Sequence, residues 1–204
     1  MELELADVLA LPTTDDEPAD RTTQRILDAA LAEAAASGLR RLTVEDVVRR
    51  AGVARMTVYR RYPRREDLVQ ALQDREVHRF LRAVADGIDS ATDPMDSLTE
   101  AFVAAVEFAR GHPLLRRAGQ TDPGSVIEAV AVDDARLLAL GSAFIARHIH
   151  GNRPGSPSRS ERWAADAWAR LFITYVAVPP TDPDFGDDKQ LRRFARDVLA
   201  PMVG

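Results

Sequence analysis

Between Leu42 and Leu68 the chain reads LTVEDVVRRAGVARMTVYRRYPRREDL, and this stretch leaves its backbone few choices. Thr43 can cap a helix with its hydroxyl, and Asp46 three residues on approximates a capping box. The helix runs to about Ala51, Gly52 breaks it, and Val53 is the apolar residue of the turn. A second short helix is predicted from about Ala54 to Tyr62. Pro63 stops it, because proline disfavours helical geometry in the residue before it. Two short helices joined by a glycine-containing turn make a helix-turn-helix. Val44, Val47, Val48, Val53 and Val58 are the internal residues that set the crossing angle. Arg55, Thr57, Tyr59 and Arg60 are then left to project from the second helix.

Those side chains suit a DNA groove. Arginine can pair bidentately with guanine, threonine can touch a thymine methyl or a phosphate, and tyrosine can donate to phosphate. Spacing alone leaves a second reading open, a helical hairpin with a solvated charged face. Charge distribution bears on the choice. The net charge of −5 hides an asymmetry. Residues 1–20 hold seven acids and no base, whereas residues 21–65 hold eleven arginines against four acids. A basic block inside an acidic chain suggests a local polyanion site, although arginine can also be plain solvated surface. Lys189 is the only lysine, so arginine preference by itself carries little.

The rest of the chain reads as helix. One segment spans about 22–37, where Ile26, Ala30 and Ala34 recur at i, i+4 and Gly38 offers a left-handed C-terminal cap. Another begins near Arg65, with Glu66 and Asp67 suited to the positive helix end. Its apolar stripe is Leu68, Leu72, Val77, Phe80, Leu81, Val84 and Ile88. Further helices are predicted over about 95–110, after His112-Pro113, and from Asp122-Pro123 to about His150. A Gly/Pro/Ser loop at 151–158 precedes helices over about 159–178 and 187–202. No strand and no repeat is found.

The stretch AGVARMTVYRRYPRREDL, with the first-helix segment Arg25-Ile26-Leu27-Asp28-Ala29-Ala30, resembles the TetR family of bacterial regulators. The resemblance covers about residues 21–72. The family order of a Gly-Val turn, a Thr-hydrophobic-Tyr run, an aromatic and a charged opening of helix 4 is met by Ala51-Gly52-Val53, Thr57-Val58-Tyr59, Tyr62 and Glu66-Asp67-Leu68. It implies an all-α fold: an N-terminal three-helix DNA-binding domain with helix-turn-helix (21–65), then a larger helical ligand-binding and dimerisation domain (66–204). It also implies roles. Thr43 would contact phosphate. Arg55, Met56, Thr57, Tyr59 and Arg60 would meet the groove and its walls, and Arg65 would bind phosphate. Tyr62 would be core. A small-molecule effector would occupy a cavity in the larger domain, with Phe102, Phe108, Trp168 and Phe172 as candidate lining, though aromatics at helical spacing equally suit plain core. The last two helices would form a homodimer on double-stranded operator DNA. Ala54 stands where the family often has serine, so a side-chain cap is lost.

Other classes find little support. There is no cysteine, which excludes disulfides and thiolate chemistry. No apolar run is long enough for a membrane span. Residues 1–20 read as a loose acidic leader rather than a signal peptide, and a cytoplasmic address is expected. His148 and His150 lie two apart, on different helix faces, so no metal site is expected. The stretch 151–155 lacks a P-loop's lysine and spacing. No cofactor or catalytic constellation stands out, which leaves an all-helical enzyme or a ligand-independent DNA-binding adaptor as the competing functions.

Overall fold

Helix punctuation dictates most of the architecture. The computed structural model describes residues 21–91, 94–121, 123–151, 153–178, 180, 182 and 184–202, and the side chains of all these but 94, 95, 123 and 125–137. The expected acidic leader at 1–20 lies outside the described residues. In chain order the elements are α1 (Arg21–Ser37), a 3-10 turn (Leu39–Arg41), α2 (Val44–Ala51), α3 (Arg55–Arg61), α4 (Arg65–Asp89), α5 (Pro94–Gly111), α6 (Pro113–Thr121), α7 (Pro123–His150), α8 (Arg159–Ala177) and α9 (Asp188–Phe194). α9 continues through a π-helical turn (Ala195–Leu199) and a 3-10 turn (Ala200–Met202). Pro201 accounts for that loosening, since its ring clashes with the carbonyl four residues back. α5, α6 and α7 each begin on a proline, at the one helical position where a missing N–H costs nothing. The described residues contain no strand.

The chain forms two compact units, the first running to Arg79 and the second starting at Phe80. α4 contributes residues to both.

In the first unit, Ile26, Leu27, Ala30 and Ala34 bury one face of α1, and Leu42, Val44, Val47, Ala51, Val58, Leu68 and Leu72 complete the core. Gly52 takes the left-handed conformation (φ 61°, ψ 37°) that ends α2. Gly38 does not. It has positive φ, but its ψ of 146° makes it a kink into the 3-10 turn rather than the left-handed cap expected. Glycine is still required there, because an L side chain rarely adopts a φ of 92°. One feature is invisible to periodicity. Arg75 lies on the buried side of α4, its side chain 3% exposed, and donates to Asp28 of α1 at 2.8 Å and, through Nε, to Glu76 at 2.7 Å.

In the second unit, Phe102 is fully buried within a cluster of Val103, Val106, Trp168, Phe185, Leu191 and Leu199. Arg192 binds Glu100 through two bonds of 3.0 and 3.2 Å, and Arg196 meets Asp96 at 3.1 Å, so α9 is strapped to α5. The α7–α8 connection is closed by a capping box: the Ser158 hydroxyl accepts from Glu161 N, and the Glu161 carboxylate accepts from Ser158 N. Arg153 and His150 also bond that carboxylate.

Two expectations follow. A Cβ on Gly87 would lie 2.8 Å from Ala104 Cβ and 2.9 Å from the Glu100 carbonyl oxygen. Gly→Ala in an open helix stabilises by about 1 kcal/mol. Here it forces α4 and α5 apart, and Gly87→Ala should instead destabilise by about 1–3 kcal/mol in denaturant unfolding. Separately, the Ser158 bonds draw the Glu161 pKa down to about 2. A carboxylate depressed in the fold contributes stability above its unfolded pKa and loses it on acidification. Melting temperature should therefore fall between about pH 4.5 and pH 2, and by less in Glu161→Gln.

Candidate nucleic-acid interface

α3 has seven residues, too few to persist as a helix in water on its own. Val58 is fully buried and anchors it to the first unit. At about 100° per residue, Met56 and Arg60 fall on the face opposite Val58, with Thr57 and Tyr59 on the flanks. The observed exposures follow this geometry. Met56 is 77% exposed, Arg60 is exposed, and Thr57 and Tyr59 are half-buried. Arg55 projects from the first turn and is exposed. Tyr62 returns to the Val58 side, and burial pushes its phenol pKa up. Ala54 stands at the N-cap with no side-chain bond, as the sequence implied.

Thr43 sits at the N-cap of α2. Its hydroxyl oxygen accepts from Asp46 N at 3.1 Å and donates to Asp46 Oδ2 at 2.6 Å. Those bonds, with Arg49 beside them, hold the Asp46 carboxyl below its usual range. Thr43 is itself exposed, on the edge of the same unit.

Arginines of the basic block divide by what they bond. Arg65 turns inward: its Nε donates to the Leu42 carbonyl at 2.8 Å, and Nη2 to those of Leu39 (2.7 Å) and Arg40 (3.3 Å). These donors close the 3-10 turn ahead of α2. Arg25 does the same at the other end, donating to the carbonyls of Ala51 (2.8 Å) and Gly52 (3.3 Å). Arg49, Arg50 and Arg64 pair with Asp46, Glu33 and Asp67. Arg41 and Arg60 have no side-chain hydrogen bond or ion pair among the described residues.

Arg55 and Tyr59 converge on one oxygen. Arg55 Nη2 donates to Glu45 Oε1 at 3.0 Å and the Tyr59 hydroxyl donates to the same atom at 2.7 Å. The Arg55 guanidinium carbon lies 5.2 Å from the Tyr59 ring centre, within cation–π range. The Tyr59 bond, with Arg55 nearby, holds the Glu45 carboxyl below its usual range. Glu45 carries no periodicity signal, and only the fold brings it to residues ten and fourteen positions away.

The aromatic candidates in the second unit fall into two groups. Phe102 is fully buried and Trp168 nearly so, packed edge to face at 5.3 Å inside the core cluster. Both side chains are packed within that cluster. Phe108 and Phe172 are half-buried, each against Phe80 at 5.5 and 5.3 Å. The Trp168 indole N–H has no hydrogen-bond partner among the described residues. No group of three or more metal-binding side chains occurs among the described residues. No helix is long and apolar enough to cross a membrane, among the described residues.

Two family models match. "Bacterial regulatory proteins, tetR family" covers residues 26–72, and "Bacterial Tetracyclin repressor, C-terminal domain" covers residues 93–195. Among curated proteins, the HTH-type transcriptional repressor LfrR of Mycolicibacterium smegmatis is 37% identical over 176 residues, covering 82% of this chain and 84% of its own. An uncharacterised HTH-type transcriptional regulator of Mycobacterium tuberculosis is 25% identical over 177 residues, covering 87% and 85%. Among solved structures, the TetR family repressor AlkX from Dietzia sp. aligns with a TM-score of 0.61 at 23% identity, over 88% of this chain and 96% of that one. A tetR-family regulatory protein from Rhodococcus aligns at 0.62 and 21% identity, over 91% and 98%. These two likenesses speak for the fold.

The arginine division is testable without DNA. Arg65→Met removes one donor from each of three carbonyls and should cost about 1.5–3 kcal/mol in thermal or denaturant unfolding. Arg60→Met, which breaks no bond, should stay within about 0.5 kcal/mol of the parent.

Proposed function

The chain belongs to the TetR family of bacterial transcriptional regulators, and from that premise we propose that two copies grip operator DNA through α3 and release it when a small molecule binds the second unit. The observation that carries the reading is the outward row on α3, held in place by buried Val58. In the major groove, Arg60 and Arg55 have the planar fork that fits guanine O6 and N7, and the Thr57 methyl suits a thymine methyl. Tyr59 and Thr43 stand at the groove wall, where each donates its one O–H to a phosphate by exchanging it for the carboxylate it now bonds, Glu45 or Asp46. Met56 supplies apolar contact. Arg65 serves the interface from inside, by holding the turn that sets Thr43.

Homodimerisation follows the family habit and agrees with apolar exposure on the last two helices. Trp163 of α8 is 68% exposed, and Val198 and Met202 beyond α9 are 49% and 50% exposed. A second copy would cover them. Two recognition helices about 34–36 Å apart read half-sites one helical turn apart. Repression is the mode named for LfrR and AlkX. For the effector, half-buried Phe108 and Phe172 and the unpartnered Trp168 N–H are the side chains to watch. An effector lowers DNA affinity only by binding one state of the dimer more tightly than the other. α4, shared by both units, is the covalent path for that preference.

Selection of bound duplexes from random-sequence DNA is the direct test. The protein should enrich a two-fold-related pair of half-sites. Arg60→Ala and Arg55→Ala should each weaken the enriched duplex by about 5- to 150-fold, the equivalent of one bidentate base contact. Trp163→Glu should shift the protein toward monomer in sedimentation and weaken binding with α3 untouched. Enrichment of no sequence at low salt would end the reading.

A further inference from the structure

We infer that Glu45 is a specificity-determining residue of the DNA interface: it holds Arg55 and Tyr59 on a single carboxylate oxygen and thereby separates matching from non-matching duplexes. The inference rests on the reading that α3 meets DNA, and deepens it.

Three observations carry it. First, the two donors share Oε1, so the Arg55 guanidinium is tied at Nη2 while the Tyr59 hydroxyl has its one O–H engaged. Second, the guanidinium lies over the Tyr59 ring, which restricts its tilt as well as its position. Third, the cluster is solvent-facing, with Glu45 and Arg55 side chains more than half exposed, so it is a feature of the recognition surface and not of the core. The neighbouring acid, Asp46, is engaged elsewhere, by Thr43 and Arg49.

The consequence differs between duplexes. Guanidinium has five N–H donors. Glu45 takes one, which leaves an edge for guanine O6 and N7 already oriented, so a matching base meets a side chain with little rotamer freedom left to lose. A non-matching duplex offers no such acceptor. There the oriented edge finds no paired base acceptors and its pre-orientation gains nothing. The Glu45 charge still faces the phosphate array, and like charges repel. One carboxylate therefore disfavours every duplex and is offset only on the matching one.

The test compares affinities for a duplex enriched by the wild-type protein and a scrambled duplex of equal length and composition. Glu45→Gln should bind the scrambled duplex about fivefold more tightly and the enriched one with at most about a twofold change, so discrimination falls. Glu45→Asp keeps the charge but is too short to reach both donors. It should weaken the enriched duplex and leave the scrambled one unchanged, again lowering discrimination, and it serves if the Gln variant fails to fold. Glu66→Gln removes an equal charge from a residue 71% exposed in the same unit, and should shift both duplexes alike. If both Glu45 variants keep the wild-type ratio while the wild type still enriches a sequence, this inference is overturned and the DNA reading stands. If the wild type enriches nothing, the DNA reading itself fails.

Discussion

The burial of one side chain, Val58, decides what the rest of the first unit can do. A seven-residue helix has no stability of its own. Docked through Val58, it presents Met56 and Arg60 on the opposite face and Tyr59 and Thr57 on its flanks, as helical geometry requires. The docking depends in turn on where α2 ends. The left-handed Gly52 turns the chain, and Arg25 from α1 occupies the two carbonyls that the turn leaves open. Arg65 from α4 does the same before α2 begins. α2 is thus bolted at both ends by arginines from its neighbours, and Arg75 ties α4 to α1 through Asp28.

That use of arginine changes how the basic block should be understood. Eleven arginines in residues 21–65 suggest a broad polyanion surface. Two of them satisfy backbone carbonyls, and three more are neutralised by Asp46, Glu33 and Asp67. On the proposed reading, specific recognition falls to few groups, chiefly Arg60, Arg55 and Tyr59, two of which bond Glu45. Such a surface is suited to discriminating between sequences, since phosphate contacts position a protein and base contacts specify.

Much of this was legible beforehand, for identifiable reasons. Proline and glycine act locally, so Pro63, Gly52 and the prolines opening α5, α6 and α7 mark helix ends in the sequence itself. The valines of the helix-turn-helix were legible in part: Val44, Val47 and Val58 are buried, while Val48 and Val53 are only half so. Long side chains were not legible. Whether an arginine reaches a carbonyl, a carboxylate or solvent depends on tertiary neighbours, and a carbonyl acceptor leaves no trace in residue identity. Phe102 and Trp168 show the same limit, because helical spacing does not separate a packed aromatic from a lining one. The Ser158–Glu161 capping box was there to be found in the S-x-x-E spacing.

The central claim is that the Val58-docked helix presents the DNA-binding face. The most direct measurement is a backbone amide NMR titration of the dimer with an enriched duplex. The account predicts that the largest shift changes fall on Thr43, Glu45 and residues 55–60, with α8 and α9 nearly unmoved. Changes concentrated on α8 and α9, with α3 silent, would contradict it.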